Sequence, residues 1–183
     1  MKKRNLSPAT GKEMKFAKLF ILAATTISTI AALTDFASAQ IVALGASNVE
    51  GYGVSSSEAW PAQLESILRA KGSSSHVTNA GVSGDTTGQV LARLSSAVPD
   101  GTRVVLLGIG AFNDVRTGSS VDAARANIVL IKKQLAGRGI RVVDALGPMK
   151  SIMHQPGMLQ ADHIHLTAEG HHKLAMQLAG SVR

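Results

Sequence analysis

The run Arg103 to Ile109 (RVVLLGI) constrains the fold of this 183-residue chain more than any other stretch. Its apolar residues do not alternate with polar ones, so a strand made from them has to be covered on both faces. Ile41-Val42-Ala43-Leu44, ended by Gly45, has the same character, and Ile140-Arg141-Val142-Val143 predicts a further strand. His76-Val77-Thr78 is a weaker one. Helical spacing fills the intervals. Trp60, Leu64, Ile67 and Leu68 predict a helix over Glu58–Ala70, with Pro61 tolerated in the first turn and Gly72 as the stop. Val90, Leu91, Leu94 and Val98 predict one from Asp85 or Thr86 to just before Pro99. A third runs from about Val121 to Ala136, closed by Gly137 and Gly139. Gly147 to Leu166 reads as irregular, and Thr167 can cap a last helix, Ala168–Leu178, with Glu169 in its first turn.

The resulting order, β-α-β-α-β-α-β-loop-α, predicts an α/β protein: three layers, α/β/α, around a mostly parallel sheet of about four to five strands. No internal repeat, linker or second domain interrupts residues 40–183.

Residues 1–39 read differently. Lys2, Lys3, Arg4, Lys12, Lys15 and Lys18 precede an uncharged stretch from Leu19 to Leu33, and Ala37-Ser38-Ala39 has the small residues of a signal-peptidase site. This is the layout of a secretory signal, with Met1 or Met14 as its start, and it predicts a periplasmic or secreted protein. An uncleaved membrane anchor is the alternative, but the apolar run is short for a span and rich in Ala and Thr. The formal charge of +7 is therefore misleading as a clue to partners. Residues 1–39 hold six of the 19 basic residues and two of the 12 acids, leaving 13 against 10, or +3, in residues 40–183. Phe16, Phe20 and Phe36 also lie in the leader, so the rest keeps only Tyr52, Trp60 and Phe112 as aromatics. A nucleic-acid surface built from a basic groove and stacking rings is not expected. With no cysteine in the chain, disulfides, thiol catalysis and Cys-ligated metals are excluded.

In a doubly wound sheet, ligands gather at the carboxyl ends of the strands. Ser47 follows the first strand in Gly45-Ala46-Ser47-Asn48, where a serine can be a nucleophile or simply part of a turn. Asn79 to Thr87 (NAGVSGDTT) enters a helix, and its backbone N–H groups can face an oxyanion; as a glycine-rich turn capped by Asp85 or Thr86 it is equally well explained. Asn113 follows the third strand in Gly110-Ala111-Phe112-Asn113-Asp114, as a side-chain donor or a turn former. Asp162-His163-Ile164-His165 places a carboxylate three residues before an imidazole, a spacing that lets the acid fix the tautomer of a general base. With His154, His171 and His172 nearby, a metal site is the competing reading, though no further acidic or His cluster completes a ligand set. His163 is expected to point elsewhere, and His171 and His172 to be solvated on the last helix.

Taken together and in order, Ser47, the glycine loop, Asn113 and Asp162-x-x-His165 resemble the four blocks of the SGNH (GDSL-like) hydrolases, which have a flavodoxin-like fold. The resemblance runs from about Ile41 to Leu178. Ser56 to Leu68 (SSEAWPAQLESIL) and Asn79 to Thr86 (NAGVSGDT) are most similar to the branch of thioesterase I and lysophospholipase L1 type arylesterases. It implies that Ser47 is the nucleophile, His165 its base and Asp162 the partner of His165. The oxyanion hole would comprise the Ser47 and Gly84 N–H groups and the Asn113 side chain. It further implies hydrolysis of small acyl, aryl, lysophospholipid or thioester substrates through an acyl-enzyme, with no cofactor or metal. The family's Gly-Asp-Ser is Gly45-Ala46-Ser47 here, and one extra residue stands between Gly110 and Asn113. A degenerate member that binds an acylated ligand or a protein partner is the alternative function.

Overall fold

The computed structural model of the chain describes residues 40–182. The expected signal, its cleavage site and the alternative start at Met14 lie outside the described residues. Four strands carry the fold: β1 (Gln40–Gly45), β2 (His76–Gly81), β3 (Thr102–Gly108) and β4 (Arg141–Asp144). All pair in parallel, in the order β2-β1-β3-β4. Between and after them come α1 (Ser47–Glu50), α2 (Trp60–Ala70), α3 (Thr87–Ala92), α4 (Leu94–Ala97), α5 (Phe112–Arg116), α6 (Val121–Gly137), α7 (Leu146–Met153) and α8 (Ala168–Leu178).

The two-sided apolar runs do what their pattern requires. Ile41 and Ala43 of β1, with Val104 and Leu106 of β3, pack in a cluster with Trp60, Leu64, Met149 and Leu174 from α2, α7 and α8. Val42, Leu44, Val105 and Leu107, which alternate with them, face Val90, Leu94, Ile131 and Leu135 from α3, α4 and α6. Period-two side chains thus feed two cores on opposite faces of one sheet, the expected three-layer arrangement. The strand order reverses at β1, so the crevice between the carboxyl ends of β1 and β3 is the topological switch point, where ligands bind in such sheets.

Several expectations need correction. The helix expected from Asp85 or Thr86 to Pro99 is two short ones broken at Arg93, and its cap is Thr86, whose side chain accepts from Gln89 N in a capping box. Asp85 instead pairs with Arg93 at 2.7 Å, and Arg93 also donates to the Gly45 and Ala80 carbonyls, both at 3.0 Å. The stretch taken as irregular, Gly147 to Leu166, begins with most of α7. Asp144 starts that helix by accepting from the Leu146 and Gly147 N–H groups, and Pro148 in its first turn costs little because the N–H it lacks would have no helical acceptor. The first long helix starts at Trp60 rather than Glu58, and β2 extends to Gly81.

Candidate active site

Ser47 opens α1 directly after β1, and three glycines explain how α1 can sit so close to the sheet. Gly45, Gly81 and Gly108 end β1, β2 and β3 in mutual register. A Cβ on Gly45 would lie 2.5 Å from the Gly108 carbonyl oxygen and from Val49 Cγ2; on Gly81 it would run into the Glu50 backbone; on Gly108 it would lie 2.8 Å from Val49. The strand ends therefore form a bare floor, onto which the buried Val49 packs. This fixes Ser47 at the switch point.

Asp162 and His165 come from the segment between α7 and α8. His163 there adopts the left-handed conformation, φ 57°, and its N–H donates to the Gln160 carbonyl at 3.0 Å. The turn lets one Asp162 oxygen accept from the Ile164 and His165 N–H groups at 2.9 and 3.0 Å, while the other meets His165 Nδ1 at 2.6 Å. His165 Nε2 lies 3.0 Å from Ser47 Oγ. The His165 ring bond, then the two backbone donors, hold the Asp162 carboxyl well below the usual carboxylate range. Tyr52 stacks at a tilt on His165, ring centroids 4.4 Å apart.

Asn48 joins the two halves of this arrangement, and the sequence reading did not single it out for that role. Its side-chain amide donates to the Ile164 carbonyl at 3.1 Å and accepts from Leu166 N at 2.8 Å, clasping the chain on both sides of His165. Its own backbone carbonyl accepts from Trp60 Nε1 at 3.0 Å. Gln160 adds bonds to the Tyr52 and Leu166 carbonyls, both at 2.8 Å.

Gly84 and Asn113 share a cavity of about 260 Å³ with Ser47 and His165. Gly84 has φ +85°, and a Cβ built on it would meet nothing within 4 Å. Among the described residues, its N–H and that of Ser47 have no acceptor. Asn113 donates one amide hydrogen to the Asp85 carbonyl at 2.8 Å, which leaves the second free. The extra residue, Phe112, starts α5 and, though 59% exposed, lines the cavity beside Asn113, which keeps its place in the cavity wall. The next residue, Asp114, is buried and accepts from Thr87 N and Oγ1 at 3.0 and 2.6 Å, tying α5 to α3. A second cavity, about 430 Å³, opens on the other side of Ser47, lined by Ile109, Leu146, Met149 and Met153 among others.

The structure thus brings Ser47, Gly84, Asn113, Asp162 and His165 together. His163 lines the larger cavity, together with Ser47, and not the smaller one that His165 lines. His171 and His172 are not solvated as expected. His171 is fully buried and its Nδ1 accepts from Trp60 N at 3.2 Å, while His172 bonds Gln63 at 3.0 Å. Among the described residues, no three His, Asp or Glu side chains gather as a metal site would require.

The chain matches the family model described as GDSL-like Lipase/Acylhydrolase family over residues 43–156. An arylesterase of Vibrio mimicus is 33% identical over 108 residues, which is 58% of this chain and only 54% of that protein. The crystal structure of TesA superposes with a TM-score of 0.71 at 20% identity, covering 79% of this chain and 98% of that one, a likeness of fold. AlinE4, an SGNH-hydrolase family esterase, gives 0.60 at 29% identity over 79% of this chain and 95% of its own. With the family model spanning more than half the sequence, the chain belongs to the GDSL-like lipase/acylhydrolase family.

Proposed function

We propose that this protein is a serine esterase that hydrolyses small carboxylic esters through an acyl-enzyme on Ser47. The observation that carries this reading is the continuous relay from Ser47 Oγ through His165 Nε2, at 3.0 Å, to the Asp162 carboxylate, at 2.6 Å from Nδ1. Family membership and the esterase neighbour at 29% identity support the same chemistry.

In the proposed course, Asp162 stays ionised and accepts from His165 Nδ1–H, so Nε2 carries the free lone pair. Ser47 Oγ attacks the ester carbonyl as Nε2 takes its proton. The carbonyl oxygen becomes an anion facing the Ser47 and Gly84 N–H groups and the free amide hydrogen of Asn113. Collapse of this adduct breaks the bond to the alcohol, which leaves with the proton from Nε2. A water then gives its proton to Nε2 and attacks the acyl group; the acid departs and Ser47 recovers its proton. Aryl, thioester and lysophospholipid substrates all share that acyl chemistry, and export from the cytoplasm is part of the proposal. The test is turnover of a chromogenic short-chain ester. The expected result is measurable kcat in the native protein and its loss in Ser47→Ala with an unchanged circular dichroism spectrum. Full activity in Ser47→Ala would overturn the assignment.

A further inference from the structure

We propose that Arg116 recognises an anionic group on the departing alcohol, so that preferred substrates carry a carboxylate or phosphate on the part that leaves; this rests on the esterase reading above. Two cavities flank Ser47 and share Ser47, Phe112, Asn113 and Ile164 as a dividing wall. Their other walls differ. His165 and Gly84 line the smaller one and not the larger. The leaving oxygen has to be within hydrogen-bond reach of His165 Nε2, since that atom protonates it. The alcohol therefore occupies the smaller cavity, and the acyl chain the larger one, against Leu146, Met149 and Met153.

Within the smaller cavity the other side chains are neutral or, as with His165, already committed to the relay. Arg116 alone among its lining residues brings a fixed charge, and no carboxylate lines it. Arg69, Arg93, Arg125 and Arg138 each pair with an acid, whereas among the described residues Arg116 makes no ion pair. Arg116 also lies three residues after Asn113 on α5, a spacing that puts both on one helix face. That puts the exposed Arg116 side chain on the same side of α5 as the proposed oxyanion donor. A planar fork of N–H donors beside a leaving-group cavity fits carboxylate and phosphate oxygens. Lys150 lines the larger cavity, so a charge on the acyl side would be read separately.

The experiment compares esters with one acyl chain and different leaving phenols: para-butyryloxybenzoate, its neutral methyl ester, and para-butyryloxyphenyl phosphate. The readout is the ratio of kcat/KM for each anionic ester to that for the neutral one. Arg116→Gln is expected to lower the ratio about fivefold, the scale of one exposed charge contact, and Arg116→Lys to keep at least half of it. A larger fall for the phosphate than for the carboxylate assigns the site to phosphorylated alcohols; the reverse assigns it to carboxylated ones. An unchanged ratio overturns the proposal, including the case where all three esters slow equally because Arg116 only braces α5. No turnover of any ester, together with no fluorophosphonate label on Ser47, would overturn the esterase reading itself and this proposal with it.

Discussion

Asn48 holds His165, the proposed base, in place from the position next to Ser47. Its amide bridges the Ile164 carbonyl and the Leu166 N–H, so the two partners of the relay share one short, rigid support. Asn48→Ala removes both bonds, and we expect kcat to fall roughly tenfold to a hundredfold, the scale of a misplacement near 1 Å, with KM less affected. Steady-state kinetics on the variant check this. Asp162→Asn is a cleaner probe of the tautomer. The new amide oxygen can still accept from the Ile164 and His165 N–H groups, but its NH2 faces His165 Nδ1 and forces the proton onto Nε2. A fall of roughly 10⁴-fold in kcat is expected at neutral pH, measured with the same ester. At this scale the sequence shows what is local. Asp162 and His165 are three residues apart, and their pairing can be read from the spacing. The partners of Asn48 are 116 and 118 positions away, and no one-dimensional pattern announces them.

Among the elements, α1 depends most on what lies beneath it. The glycines that end β1, β2 and β3 could each be read as a turn signal in the sequence, but their joint purpose appears only when register places them side by side. Gly81→Ala would drive a methyl group into the Glu50 backbone. We expect about 2 kcal/mol of destabilisation or more, seen as a lower urea midpoint, together with lost activity as α1 shifts. Gly84→Ala is the contrast: nothing crowds its Cβ, so only the left-handed φ is penalised, by roughly 1–2 kcal/mol. β1 and β3 were the most legible elements because their two-sided burial leaves an unbroken apolar run, whereas β2 and β4 are only partly buried. α7 was missed because Gly147 and Pro148 read as breakers, although Pro148 falls in the first turn and Asp144 satisfies the Gly147 N–H. The kink at Arg93 was missed because apolar spacing continues across it while the side chain's carbonyl partners belong to other segments.

For the whole molecule, stability is expected to depend on pH through a group outside the relay. Burial pushes the His171 imidazole down to about 4, partly opposed by the charge of Glu58. The unfolded chain would take up a proton near 6.5 while the folded one would not, so this contribution is complete above about pH 6.5 and is lost as pH falls towards 4. Between pH 7.5 and 5 the loss is on the order of 2 kcal/mol. Urea unfolding at both pH values measures it, and His171→Gln, which cannot titrate, should flatten the difference. Sequence patterning placed His171 on the last helix, but its burial depends on α8 packing against α2, a tertiary contact that the pattern of charges there concealed. The parallel α/β class was readable because β1 and β3 are apolar on both faces, whereas the strand order, and with it the switch point, rests on pairings between distant segments. The central claim is that the hydroxyl of Ser47 is activated by His165. Its most direct measurement is reaction of the native protein with a fluorophosphonate, followed by peptide mass spectrometry. The account predicts a single adduct on Ser47, absent in Ser47→Ala and much slower to form in His165→Ala. A folded native protein that forms no adduct, or forms it on another residue, would contradict it.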